Sequence, residues 1–276
     1  MKAIDIIIPI HKYNKEVKNL LKDCLIYVKE MARNSINEIK VDVNIVGPHI
    51  LDYSEEIFNL IEWSEEFESF NIVENNENAT DFCTQVNFCV EKQCKNDYFM
   101  IVEFDDIVTP KWLNMASPYI KIRKKCPIFL PLVEVYDIEK PSVPLQYINE
   151  IAWSSSFVEN ELGSLNVDAL KEYCNFNVTG AIIKRHDFVK AGMFKPSIKL
   201  SFGYELLLRL AQFYGEVFVI PKVGYLHYTN REDSLTSEYH KTMTPEEGSW
   251  WIKLATEEYA YKKDRNKTYS VEEDEK

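Results

Sequence analysis

Apolar positions recur along this chain in two alternating rhythms. Ile4 to Ile10 is an apolar run that contains Pro9 and leads into the polar His11-Lys12-Tyr13-Asn14, the pattern of a strand buried on both faces with a loop at its end. Val17, Leu20, Leu21, Cys24, Val28 and Met31 then repeat at steps of three and four, which predicts a helix with one apolar stripe. Val41 to Val46 predicts a second strand ended by Gly47-Pro48, Ile57, Leu60 and Ile61 a second helix, and Phe70 to Val73 a short edge strand. Phe82, Val86, Cys89 and Val90 mark a third helix before a strand at Asp97 to Phe104. Strands alternating with helices predict an α/β fold, a mostly parallel sheet covered by helices on both faces. In such sheets ligands bind beyond the carboxyl ends of the strands.

The later pattern is less regular. A helix is predicted from Pro110 to about Lys125, a strand at Ile128 to Val135, an extended segment at Gly180 to Lys184, a helix at Tyr204 to Tyr214 and a strand at Val217 to Ile220. Lys140 to Asn160 lacks periodicity and reads as a long functional loop. A last helix from Pro245 carries Trp250 and Trp251, and from about Thr268 the chain is charged and poor in apolar residues, the composition of a disordered acidic tail. The expected organisation is 1–125, 126–243, a C-terminal helix over 244–267, and the tail 268–276.

Composition narrows the chemistry. The chain has 276 residues, 46% of them hydrophobic, and a formal charge of −12, which argues against loose charge-driven binding along nucleic acid but permits a local basic patch. Apolar runs are strand-sized and no signal-peptide pattern opens the chain, so a cytoplasmic protein without membrane insertion is expected. The six cysteines form no C-x-x-C pair and read as reduced thiols. Eight glycines form neither G-x-G-x-x-G nor a phosphate loop, so a bound nucleotide must be held through a metal or side chains.

The sharpest signal is Glu103-Phe104-Asp105-Asp106, at the end of a predicted strand. Alternation along an extended chain points Glu103 and Asp105 to one side, and paired carboxylates there suit a hard divalent cation that neutralises a diphosphate leaving group. The plain alternative is that Asp105 and Asp106 favour the N-terminus of the helix that follows.

Three segments together carry a family likeness: Ile6 to Asn14, Asn75 to Asn87, and Tyr98 to Asp106 followed by Pro110 and Leu113. They resemble family 2 glycosyltransferases of the GT-A fold in order and spacing, and the likeness runs on through Gly180 to Arg185, Gly192 to Phe194, Leu206 to Ala211, Ile220-Pro221 and His227-Tyr228, about residues 4 to 238. The resemblance implies a GT-A-type, Rossmann-like sheet with an acceptor-side second half. It implies transfer of a sugar from a nucleotide sugar, with a UDP-sugar the first choice, to an acceptor hydroxyl with inversion, assisted by Mn2+ or Mg2+. By the same resemblance Pro9, His11, Tyr13, Asn14 and Asn87 contact the nucleoside, and Glu103 replaces the first aspartate of the D-x-D motif near the ribose. Asp105, with Asp106 and His227, holds the metal, and Arg231 and Ser234 meet the diphosphate.

The sequence departs from the family at three places. The second strand ends Ile45-Val46-Gly47-Pro48, where an aspartate commonly holds the base, with Asp42 and Asp52 as possible replacements, and Val86 stands where an arginine often precedes the asparagine. Gly203 occupies the position of the usual catalytic base, which leaves Glu205 as the nearest carboxylate; its alternative is an i, i+4 pair with Arg209. A glycan or, by similarity to glycosyltransferases of large tailed phages, a hydroxymethylated DNA base is the expected acceptor, and a phage enzyme would act in the host cytoplasm. Two basic segments, 121–125 and 262–267, either face that acceptor or are solvated helix faces. Trp250, Trp251, Tyr259 and Tyr261 either form a stacking platform or clamp the last helix. The second functional reading is a catalytically weakened relative that binds a nucleotide sugar or glycan without transfer.

Overall fold

In the computed structural model of the chain, the described residues are 1–35, 39–61, 65–77, 81–154, 161–231 and 242–257. The first half runs β1 (Ala3–Pro9), α1 (Lys15–Arg33), β2 (Lys40–Gly47), α2 (Ser54–Phe58), β3 (Ser69–Glu74), α3 (Phe82–Lys92), β4 (Tyr98–Ile101), β5 (Ile107–Val108) and α4 (Trp112–Ile122). The second half runs β6 (Ile128–Asp137), β7 (Gln146–Ile148), β8 (Ser164–Leu165), α5 (Val167–Glu172), β9 (Ile182–Lys184), α6 (Arg185–Lys190), α7 (Phe202–Tyr214) and β10 (Val217–Thr229), with a further helix over 245–257.

One sheet carries the order β3-β2-β1-β4-β9-β6-β10-β5, with β7 on β6 and β8 on β10. β1, β2, β3 and β4 are parallel, and β6 is parallel to β10. β9 runs antiparallel between β4 and β6. The sheet is therefore mixed and mostly parallel, as the alternation of elements predicts.

The period of two in β1 divides the interior. Ile4, Ile6 and Ile8 face the core built with Leu21, Leu25 and Val28 of α1, whereas Ile7 faces the opposite core with Val86, Cys89 and Val90 of α3. All of these side chains are buried, so β1 packs apolar residues on both sides. α1 begins at Lys15 because Asn14, in extended backbone, accepts the N–H groups of Glu16 and Val17 and satisfies the helix's first free donors.

Several sequence expectations are corrected. The strand expected over Asp97 to Phe104 ends at Ile101, because the chain turns out of the sheet to form the acidic loop. The helix expected from Pro110 begins at Trp112, and the second predicted helix shrinks to Ser54–Phe58. The stretch expected as a long loop contains β7, paired with Val133–Val135, and a 3-10 turn at Glu150–Trp153. Asn149 sets that turn: it adopts φ 70, and its side chain donates to the Pro131 carbonyl at 2.8 Å and accepts the Asn177 N–H at 3.0 Å. The last strand extends nine residues beyond Ile220, to Thr229, across register shifts between Val219 and Tyr225.

Candidate functional site

The acidic loop between β4 and β5 is held on three sides. Val102 N–H donates to Ile7 O at 3.0 Å, and Asp106 N–H closes a turn onto Glu103 O at 3.1 Å. Glu103 N–H donates to the hydroxyl of Tyr225 at 2.9 Å, while the Cys24 thiol donates to Glu103 O at 3.6 Å. Tyr225 is fully buried on β10, and its ring lies where only a glycine backbone fits: a Cβ at Gly180, which has φ +72, would sit 2.6 Å from the ring. Trp112 Nε1 donates to Gly180 O at 2.8 Å and fixes that approach. These tethers join residues far apart in sequence, so no local motif announces them.

β10 also delivers a histidine to the loop. His227 Nδ1 lies 2.9 Å from Asp106 Oδ2, and Asp106 Oδ1 accepts the Tyr228 N–H at 2.9 Å. His227 therefore sits within the strand rather than after it. The ligand atoms offered by Glu103, Asp106 and His227 fall within 4.8 Å of one another, a set of two oxygens and one nitrogen suited to Mg2+ or Mn2+. Asp105 faces Arg231 instead, with Nη2 3.3 Å from Oδ2, and the guanidinium carbon stands 5.0 Å from the Phe104 ring centroid.

This cluster carries more negative than positive groups. Burial, followed by the charges of Asp106 and Asp105, pushes Glu103 up to about 8. Burial and Asp106 push Asp105 up to about 6, with Arg231 opposing. Burial alone lowers the pKa of His227, but the charge and hydrogen bond of Asp106, with Glu103 and Asp105 behind it, overcome that and hold it up at about 9. Two carboxyls that resist ionisation beside a histidine that holds its proton are the signature of a site short of positive charge. A divalent cation fits this donor set.

A pocket opens over the cluster, lined by Pro9, His11, Phe82 and Gln85 on one wall and by Glu103, Phe104, Asp105, His227, Tyr228, Thr229 and Arg231 on the other. Burial, then the nearby Arg231 and Lys12 charges, lowers the pKa of His11. Of the residues expected at the site, Pro9, His11, Glu103, Asp105, His227 and Arg231 converge here, and Asp106 lies just beneath. Gln85, Phe82 and Tyr228 join them without having been singled out in the sequence; the alternation that buries α3 is the one signal that placed Phe82.

Other expected residues are engaged in the scaffold. Tyr13 donates to Glu56 at 3.2 Å and packs on Tyr53, and Asn14 caps α1. Asn87 uses both amide atoms on the Phe194 backbone, at 2.9 and 3.1 Å. Glu205 is fully buried in the first turn of α7 and outside the pocket lining. Arg209 grips its two oxygens at 2.9 and 2.6 Å, and Lys195 adds a contact at 2.9 Å. The i, i+4 pair is thus the geometry observed. Ser234, Tyr259, Tyr261 and the acidic tail lie outside the described residues. Trp251 O accepts the Ser201 hydroxyl at 2.6 Å, which ties the last helix to the start of α7.

Gly47 has a steric reason to replace an aspartate. A Cβ there would collide with the carbonyl of Ile10, whose N–H in turn bonds Val46 O at 2.8 Å. Asp42 cannot stand in from its position: it accepts from Ser69 and from Asn96 at the amino end of the sheet. Asp52 lies exposed on a 3-10 turn.

No family model matches the chain, and no curated protein matches it in sequence. Solved structures match it in fold. S. aureus TarS 1-349 in complex with UDP-GlcNAc superposes with a TM-score of 0.62 at 13% identity, over 95% of this chain and 69% of that one. The mannosyltransferase PcManGT from Pyrobaculum calidifontis, in complex with GDP-Man and Mn2+, superposes with a TM-score of 0.59 at 13% identity, over 83% of this chain and 58% of that one. Against S. aureus TarS the score is 0.52, and the match spans 38% of that longer protein. A mixed, mostly parallel sheet with helices is the architecture shared with these proteins: the chain has a GT-A-like fold.

Proposed function

We propose that the protein is a metal-dependent glycosyltransferase that moves a sugar from a nucleotide sugar to an acceptor hydroxyl, with inversion at the anomeric carbon. The observation that carries this reading is the convergence of Glu103, Asp105, Asp106, His227 and Arg231 in one pocket at the carboxyl end of the central strands. Residues 1–125 hold the donor and residues 126–243 face the acceptor. Glu103 and Asp106, with His227, offer the atoms that would hold a divalent cation, and Asp105 would join them once Arg231 turns to the phosphates. Asp106 holds Nδ1 of His227, which leaves Nε2 as the ligand atom; this is the carboxylate–histidine pairing that orients a metal ligand. The metal, when bound, neutralises the diphosphate that leaves. Arg231 turns its guanidinium from Asp105 to the same phosphates, and His11 and Pro9 border the nucleoside. A UDP-sugar is the first donor to test, and the TarS and PcManGT complexes extend the test to GDP-sugars.

One observation favours a second reading, a protein that binds a nucleotide sugar without transferring it. Glu205, the carboxylate nearest the expected base position, is held by Arg209 and Lys195 away from any acceptor. Thermal shifts with UDP-, GDP-, CDP- and dTDP-sugars, with and without Mn2+, on the wild type and Asp105→Ala test the donor site. A manganese-dependent shift lost in the variant is expected, and no shift with any donor refutes both readings. Release of free nucleotide from the donor that binds, with an inverted anomeric configuration by NMR, then separates transfer from binding alone.

A further inference from the structure

A second concavity lies at the opposite, amino end of the sheet. It holds about 780 Å3 and is lined by the start of β1, the segment before β4 and the end of α4, with Lys2, Lys95, Lys121 and Lys124 around it. All four lysines are exposed, and among the described residues none of them forms an ion pair. Asp97 is the one acidic residue of the lining. On a chain with a formal charge of −12, four lysines against one aspartate make a local reversal of sign.

The backbone that presents these lysines is anchored from within. Asp5, buried in β1, accepts the N–H groups of Lys95 at 3.1 Å and Asn96 at 2.8 Å, and Asn96 Nδ2 donates to Asp42 at 2.8 Å. Asn96 O accepts from Arg185 at 2.9 Å, and Lys184 donates to the carbonyl of Lys124. Favourable placement at the C-terminus of α4 accounts for Lys121 and Lys124, but not for Lys2 and Lys95, which arrive from other elements.

The kind of ligand follows from the kind of groups. The lysines come from three separate elements, the start of β1, the segment before β4 and the end of α4, and no arginine lines the concavity, so no fork for a single bound phosphate is built there. Ammonium groups from three elements, with the half-buried Tyr98 lining the same concavity, match a flexible strand with repeated phosphates and stackable bases.

We propose that this groove docks single-stranded nucleic acid, with backbone phosphates on Lys2, Lys95, Lys121 and Lys124 and a base against Tyr98. The site is separate from the donor pocket and does not depend on the glycosyl-transfer reading. Fluorescence anisotropy of a labelled oligothymidylate of about 12 nucleotides, with the full chain and without metal or nucleotide sugar, tests it. Four phosphate contacts predict a log–log salt slope near about −3, hence about 50-fold weaker binding at about 200 mM than at about 50 mM salt. The double variant Lys121→Glu/Lys124→Glu is expected to lose at least about tenfold in affinity, Lys2→Glu/Lys95→Glu a similar amount, and Tyr98→Leu about fivefold. Absence of binding at about 50 mM salt, or full binding by both charge-reversal variants, overturns the site. Competition by inorganic polyphosphate as effective as by unlabelled oligonucleotide, with Tyr98→Leu unaffected, overturns the nucleic-acid assignment.

Discussion

Two sets of carboxylates in this molecule, Glu205 and the acidic loop, are treated in opposite ways. Glu205 on α7 is met by two cations, Arg209 and Lys195, while Nη1 of Arg209 donates to Ala191 O and its Nη2 donates to Met193 O as well as to Glu205. The acidic loop packs Glu103, Asp105 and Asp106 against His227 and Arg231, and Glu103 and Asp105 resist ionisation. The first arrangement is closed, with every charge answered by a neighbour. The second is open, and its excess of negative charge marks the place where something positive from solution belongs.

The contrast predicts that removing a carboxylate charge has different consequences at the two places. Replacing Glu205 by Leu strands the Arg209 charge in the interior and is expected to lower unfolding free energy by about 3–5 kcal/mol in chemical denaturation. Asp105→Asn should leave that quantity unchanged or raise it; if it destabilises the metal-free protein more than Glu205→Leu does, the comparison fails. Next in size, Asp105→Ala should weaken manganese-dependent nucleotide-sugar binding by about 100-fold, about 2.8 kcal/mol, by calorimetric titration. Tyr225→Phe removes the acceptor of the Glu103 N–H and should cost about 1–3 kcal/mol of stability together with a weaker response to Mn2+.

A pH dependence around and above neutrality is expected from the open site. His227 is held up at about 9 from an ordinary 6.5, so it contributes stability present below pH 6.5 and lost as pH rises through about 9. Glu103 is held up at about 8 from 4.5, so the folded state retains its proton better and stability falls between those values as well. Both effects have the same sign. The Tm of the metal-free protein should decline from about pH 6.5 to about pH 9, Mn2+ should reverse part of the decline, and Glu103→Gln should flatten it. A Tm that rises over this range contradicts the charge assignment.

Much of the frame was legible because it is periodic. The alternation in β1, the stripe of α1 and the run before Glu103 follow from which side chains must be buried, and the fold follows from their order. β10 was cut short in the reading because Pro221 and Gly224 interrupt its apolar pattern; in the sheet they fall at register shifts, and a Cβ at Gly224 would meet the Trp112 ring. The acidic triad was legible as chemistry, but its tethers were not: Cys24 and Tyr225 look like ordinary core residues until the fold sets them against Glu103. The surroundings of Glu205 were hidden for a related reason. Its spacing to Arg209 was visible, whereas the burial that turns a weak surface pair into an internal lock depends on α7 being covered on all sides.

The clamp from β10 has a consequence in time. Asp106 and the Tyr228 N–H that it accepts are 122 positions apart in the chain. At ordinary rates of synthesis the acidic triad leaves the ribosome on the order of ten seconds before the strand that completes it. Through that interval the nascent chain carries its three carboxylates without His227 to answer them or Tyr225 to fix Glu103, so the cluster is complete only late in the protein's assembly.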